Sequence, residues 1–473
     1  MQQYPSINEN KYIQFTINRN VSIIWRFFMI RLIAGFFILI FLLSLGNTAM
    51  AESIFPYKYQ KETLPNGLTV IMIPMESPGT VAYYSVVRTG SRDEVEKGKS
   101  GFAHFFEHMM FHGTKKYPRE VYEKIATSIG ANPNAFTSDD ITAYHLTFAK
   151  EDLEKVIDLE SDRFQNLYYE KADFQTEAGA VYGEYRKNVT SPFSILNEKM
   201  QDLAFDVHTY KHTTMGFEAD IKAMPEGFDY SRSFFKRFYR PENVVIVITG
   251  DIDPKQTLDL IKKYYSSWEK GYVPSNVIQE PPQTKERTAE VAYQGKTLPI
   301  LDIGYKGDPL DANNKDYVAA LLFSDLAFGE TSELYKKLYL QEQKVQSLSA
   351  DVPVNRDAPL FEIYSMVKKA DDINYVRDEI YRTLEEFKNK PVDTKKLNDL
   401  KKRNKYNFLM GLDTPDRVAG GLSRFVAITG GIEIIDQLYS SMDKVTPQDI
   451  MNAAQKYFVP ERRNVIVLKG VQQ

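Results

Sequence analysis

Short runs of β-branched and apolar residues, bounded by Gly, Pro and Asn, are interspersed along this chain with longer stretches of helical period. Leu64-Pro65-Asn66-Gly67 forms a turn signal, and Leu68 to Ile73 after it reads as a strand, so a hairpin or strand pair opens the folded part. Lys150 to Asn166 and Tyr317 to Phe328 carry the apolar spacing of helices. Hairpin signals mixed with helices, rather than regular strand-helix-strand units, predict an α+β fold with mostly antiparallel sheets packed against helices.

A repeat divides the chain. Phe238 to Gly250 (FYRPENVVIVITG) parallels Tyr457 to Gly470 (YFVPERRNVIVLKG), each being the end of a helix, a Pro turn and a buried strand closed by Gly. Pro241 and Pro460 lie 219 residues apart, a spacing that fits a duplicated domain and not a solenoid. The plainer reading, that such endings are simply common, stays open on this fragment alone. Tyr272 to Lys285 is proline-rich without a sustained period and reads as a linker. The predicted organisation is a leader over residues 1–51, a first domain over 52–271, a linker over 272–285 and a second domain over 286–473.

In the leader, Arg26 and Arg31 precede the apolar run Leu32 to Leu45, and Ala49-Met50-Ala51 follows, the order of a secretory signal peptide cleaved after Ala51. At 14 residues the run is shorter than the roughly 20 that cross a bilayer, which places a retained membrane anchor second. A secreted or periplasmic protein is expected. The balance of 59 basic and 63 acidic residues excludes a surface built for a run of phosphates, so nucleic acid is not an expected partner. No cysteine is present, so disulfides are excluded and any metal must be held by histidine and carboxylate.

The candidate chemistry sits in His104-Phe105-Phe106-Glu107-His108. On a helix, residues four apart face the same way, so His104 and His108 can offer two imidazole nitrogens to one ion. Glu107 lies beside them, free to take a proton from a metal-bound water, and the order inverts the commoner zinc-protease motif. A catalytic zinc needs a third protein ligand from another element. Thr176 to Arg186 is helical in character, and Glu177 and Glu184, seven apart, fall on one face. Glu184 is the expected ligand, and Glu177 the carboxylate that orients one. His112 and His145 are expected to play hydrogen-bonded structural roles or to line the cleft, and Asp206 to His212 to be a structural or substrate-side segment.

These residues, with Gly90-Ser91-Arg92-Asp93-Glu94, Asn134 to Ser138, and His208 to His212, resemble the pitrilysin and insulinase family of zinc metallopeptidases, which includes the mitochondrial processing peptidase. The resemblance implies one zinc per chain on His104, His108 and Glu184, with Glu107 as general base and Glu177 in support. It also implies that Asn134, Ala135, Phe136 and Thr137 form an edge strand whose backbone pairs with an extended peptide substrate, and that each subunit consists of two related α+β halves, the second one inactive. One departure bears on function. Complete members carry an Arg and, seven residues on, a Tyr in the second half, where the pair stabilises charge on the substrate carbonyl. Here Tyr339 and Gln346 stand in those places. The expectation is therefore a zinc endopeptidase acting on peptides or unfolded segments in an enclosed chamber, as the zinc-bearing subunit of a homo- or heterodimer whose zinc-less partner supplies the Arg/Tyr pair. A non-catalytic scaffold on the same fold and a specific leader-processing peptidase are the alternatives.

Overall fold

The computed structural model describes residues 53–471; the expected leader lies outside them. Two sheets organise the chain. The first has the order β1-β2-β6-β3-β5-β4, from strands Gln60–Thr63, Thr69–Pro74, Thr80–Val87, Asn134–Thr137, Thr142–Ala149 and Val244–Gly250, numbered in chain order. The second has the order β7-β11-β8-β10-β9, from Arg287–Tyr293, Ile300–Lys306, Val345–Asp351, Leu360–Val367 and Arg463–Gly470. In each sheet one pair is parallel, β2 with β6 and β7 with β11, and the rest are antiparallel. The two strands that end the sequence repeat, β6 and β11, occupy matching places beside these parallel partners, each entered through a 3-10 turn that starts at Pro241 or Pro460. The halves are thus related in topology as well as in sequence. The segment expected as a linker, Tyr272 to Lys285, contains no helix or strand.

The near-continuous apolar reading of β2, β3 and β6 follows from burial on both faces. Val70, Met72, Val81, Tyr83, Ile246 and Ile248 point into one core, whereas Ile71, Ile73, Ala82, Tyr84, Val245 and Val247 point into another. The first core is covered by helices of the same half, among them α1 (Phe102–Met109) and α2 (Lys171–Asn188).

The other face is covered from across the molecule. Helix α5 (Pro415–Thr429), from the second half, lays Val418, Ala419, Leu422 and Val426 on the first sheet. In return α3 (Pro192–Ala204), from the first half, lays Leu196, Met200 and Ala204 on Ile300, Leu360, Ile466 and Leu468 of the second sheet. The second sheet's remaining face packs on helices of its own half, including α4 (Lys315–Phe328). Each half therefore lends one helix to its neighbour. Loops join them as well: Asn355 Nδ2 donates to Asp139 Oδ2 at 3.1 Å, the Arg356 amide to Asp140 Oδ2 at 2.9 Å, and Arg92 Nε to Asp357 Oδ2 at 2.5 Å.

Candidate metal centre and catalytic base

Helix α1 is seated by its aromatic residues. Phe102, Phe105, Phe106 and Met109 are fully buried, with Phe106 stacked on Phe234 at 5.2 Å between ring centroids, and each such side chain removed from water stabilises the seat by roughly 2–3 kcal/mol. Its start is set by Gly101, whose φ of +91° belongs to the left-handed region, and where a Cβ would stand 2.7 Å from the Met215 carbonyl oxygen. The first-turn amides find their acceptor in Glu94, whose two carboxylate oxygens take the Gly101 N–H at 2.7 Å and the Ala103 N–H at 2.6 Å. Burial pushes the Glu94 carboxyl well above the ordinary range, against the pull of those two amides.

Helix α2 presents its buried stripe of Phe174, Ala178, Val181 and Tyr185 to the core and turns Glu177 and Glu184 toward α1. His104 Nε2 lies 3.7 Å and His108 Nε2 3.2 Å from Glu184 Oε2, and one ligand atom of each of the three residues falls within 4.8 Å of the others. Atoms that ligate a tetrahedral zinc at ~2.0–2.1 Å lie about 3.3 Å from one another, so this donor set fits the ion that its chemistry, two imidazoles and one carboxylate, favours. It is the one cluster of three or more such groups among the described residues. Glu107 stays out of the ligand set and accepts a hydrogen bond from Thr137 Oγ1 at 2.6 Å.

Glu177 is a bridging carboxylate. Its Oε1 meets His108 Nδ1 and its Oε2 meets His112 Nε2, both at 2.9 Å. The hydrogen bonds from His108 and His112 hold its carboxyl down at about 2, so it is ionised throughout the neutral range. The bond to Glu177 raises His108 from its usual value, whereas burial lowers His104, which is 7% exposed.

Among the described residues, strand β4, Asn134–Thr137, pairs only with β5 and forms the outer edge of the first sheet. Its side chains alternate between exposed and half-buried, with Phe136 facing solvent. The second-half positions Tyr339 and Gln346 line one recess of about 350 Å³ with Phe328 and Tyr335, and Tyr339 stacks on Tyr335 at 4.8 Å. Tyr339 sits on a π-helical turn, Lys336–Gln341. His208 is buried between the halves, taking the Tyr210 N–H on Nδ1 and meeting Asp357 Oδ2 through Nε2 at 3.0 Å.

Sequence reading brought the three candidate ligands and Glu107 forward and left three relationships unseen: the Glu94 cap, the Thr137 bond to Glu107 and the attachment of His112 to Glu177. A carboxylate shortly before a glycine-started helix was a signal for the first. The other two join residues 30 and 65 positions apart and leave no local trace.

Residues 70–218 match the family model described as insulinase, peptidase family M16, and residues 228–404 match the M16 inactive domain. The zinc protease PqqE of Helicobacter pylori is 27% identical over 436 residues, covering 91% of this chain and 97% of that one. The mitochondrial-processing peptidase subunit beta of Lentinula edodes is 24% identical over 88% of this chain and 90% of its own. Among solved structures, a Helicobacter pylori protease superposes with a TM-score of 0.82 at 26% identity, covering 87% of this chain and 99% of that one. A putative M16-like peptidase of Alicyclobacillus acidocaldarius shares the fold at a TM-score of 0.77 and 19% identity over 88% of this chain and 99% of its own. Two matched models in order along one chain, on a fold of two related halves, place it: the chain belongs to the pitrilysin and insulinase family, peptidase family M16.

Proposed function

We propose that this chain is a zinc-dependent endopeptidase for peptides and unfolded segments, and that it is the zinc-bearing subunit of a two-subunit enzyme. The observation that carries the reading is the convergence of His104, His108 and Glu184 on one point, with Glu107 beside them and held by the edge strand through Thr137. Zinc bound by the three ligands would supply a Lewis acid for the scissile carbonyl and lower the pKa of the attacking water. Glu107 accepts that water's proton and delivers it to the leaving amine. Strand β4 offers its unpaired backbone to the substrate as the next strand of the sheet, which favours extended, flexible peptides over folded proteins. Relatives named as zinc proteases support the reaction class.

The two-subunit reading rests on Tyr339 and Gln346. Tyr339 brings no cation and Gln346 no phenol to the places where complete members carry Arg and Tyr. An exported location is part of the proposal, supported by the leader-like sequence of residues 1–51 and by an Escherichia coli relative described as a periplasmic protease. The test is peptide cleavage by the purified, zinc-loaded chain, alone and after addition of any zinc-less homologue recovered with it from the native source. Slow turnover alone and fast turnover in the mixture are expected. Full activity of the isolated chain would remove the second subunit from the proposal, and no cleavage in either sample would remove the peptidase.

A further inference from the structure

His112 has no place among the metal ligands and none in proton transfer, yet it is bound into the site. The helix α1 runs on through a 3-10 turn, Met110–His112, which puts His112 one helical turn beyond His108 and facing the same neighbour, α2. The turn ends at Gly113, with φ of +80° and a position where a Cβ would stand 2.2 Å from the Tyr117 carbonyl oxygen. Backbone geometry thus fixes where the His112 ring is delivered.

We infer that His112 is a positioning residue for the metal centre: by occupying the second oxygen of Glu177, it fixes the carboxylate that orients His108 toward zinc. The inference rests on the metal-site reading above. An ionised carboxylate only accepts hydrogen bonds, so both ring nitrogens facing Glu177 donate. His108 therefore carries its proton on Nδ1, which leaves the lone pair of Nε2 for the metal, on the side where Glu184 Oε2 lies 3.2 Å away. The terminal torsion of a glutamate is soft. With only His108 as partner, the Glu177 carboxylate can swing; with His112 on Oε2 at 2.9 Å, both oxygens are pinned. All three groups are mostly withdrawn from solvent, with side chains 26% (His108), 14% (Glu177) and 17% (His112) exposed, so bulk water is a poor substitute for the missing donor. Outer partners of this kind contribute about 10–100-fold to metal affinity, and the lower end is expected for one that acts through an intervening carboxylate.

The test is zinc affinity, measured on the purified chain by competition with a chromophoric chelator, with the melting temperature of the metal-free protein recorded alongside. His112→Leu should bind zinc about tenfold more weakly. His112→Gln, whose amide can donate from nearly the same place, should stay within about threefold of the parent and serves as the reporter if the leucine variant fails to fold. In a Glu177→Ala background, His112→Leu should cause no further loss, because its effect passes through that carboxylate. A folded His112→Leu protein with parental zinc affinity, or a loss that simply adds to that of Glu177→Ala, overturns the inference. A change in metal-free melting temperature without a change in affinity does the same, since it marks a purely structural role. Failure of the parent chain itself to bind zinc would overturn the metal-site reading and this inference together.

Discussion

Thr137 Oγ1 donates to Glu107 Oε2 at 2.6 Å, so the last residue of the edge strand holds the candidate base. The proposed docking strand and the proposed proton acceptor are therefore one mechanical unit. Thr137→Val keeps the shape and the backbone of β4 but frees the carboxylate; kcat for peptide cleavage is expected to fall about 3–10-fold with KM nearly unchanged, as measured by steady-state kinetics. Glu107→Gln should retain zinc and lose about 10²–10⁴-fold in turnover. Parental cleavage by the glutamine variant would show that Glu107 moves no proton.

Glu94 caps the helix that carries both histidines. Glu94→Gln leaves one acceptor where two amides need partners and turns an amide NH₂ toward them, a loss of about 1–3 kcal/mol for a buried N–H left without an acceptor. A fall in melting temperature of several degrees is expected in the metal-free protein, and an unchanged melting curve would show that the cap contributes nothing.

The Asp357 carboxylate fastens the second half to His208 and Arg92 of the first. Burial alone would raise it, but the hydrogen bonds from His208 and Arg92 prevail and hold it at about 2, below the 3.8 of an ordinary aspartate. Because the folded value is the depressed one, the stabilisation is complete above pH ~4 and disappears as pH falls toward 2. With the side chain one-third exposed, solvent screening brings the contribution to about 1–2 kcal/mol. Asp357→Asn should lose that amount at pH 7 and flatten the stability profile between pH 4 and 2, as read by denaturant titration across pH.

If Tyr339 and Gln346 account for dependence on a second subunit, replacing them should relieve it. The double variant Tyr339→Arg, Gln346→Tyr is expected to cleave peptides at least tenfold faster as an isolated chain, the scale of one added charge-stabilising group. No gain would mean that the recess they line does not close on the scissile bond.

How much of this was legible depended on the distance over which the information is written. The histidine pair and Glu107 sit within one helical turn or so, and helical period alone put them on one side. Glu177 and Glu184 share a face for the same reason, but their approach to α1 is a tertiary fact that the spacing only permitted. The β6 and β11 repeat was readable because a Pro turn followed by a doubly buried strand has a distinctive composition. By contrast, Val418, Ala419, Leu422 and Val426 describe an amphipathic helix equally well whichever sheet it covers, so the exchange of α3 and α5 between halves had no signature. The Glu177 to His112 bond was hidden likewise, since a lone histidine after a motif carries no mark of its partner.

That exchange makes the covalent connection between halves almost dispensable. Cutting the chain within residues 272–285 would leave two fragments still clasped through α3 and α5, running as a single particle until denatured. Producing either half by itself would instead strip a sheet of its lid, exposing Ile71, Ile73, Val245 and Val247 in one case and Ile300, Leu360, Ile466 and Leu468 in the other, a greasy plane that invites aggregation.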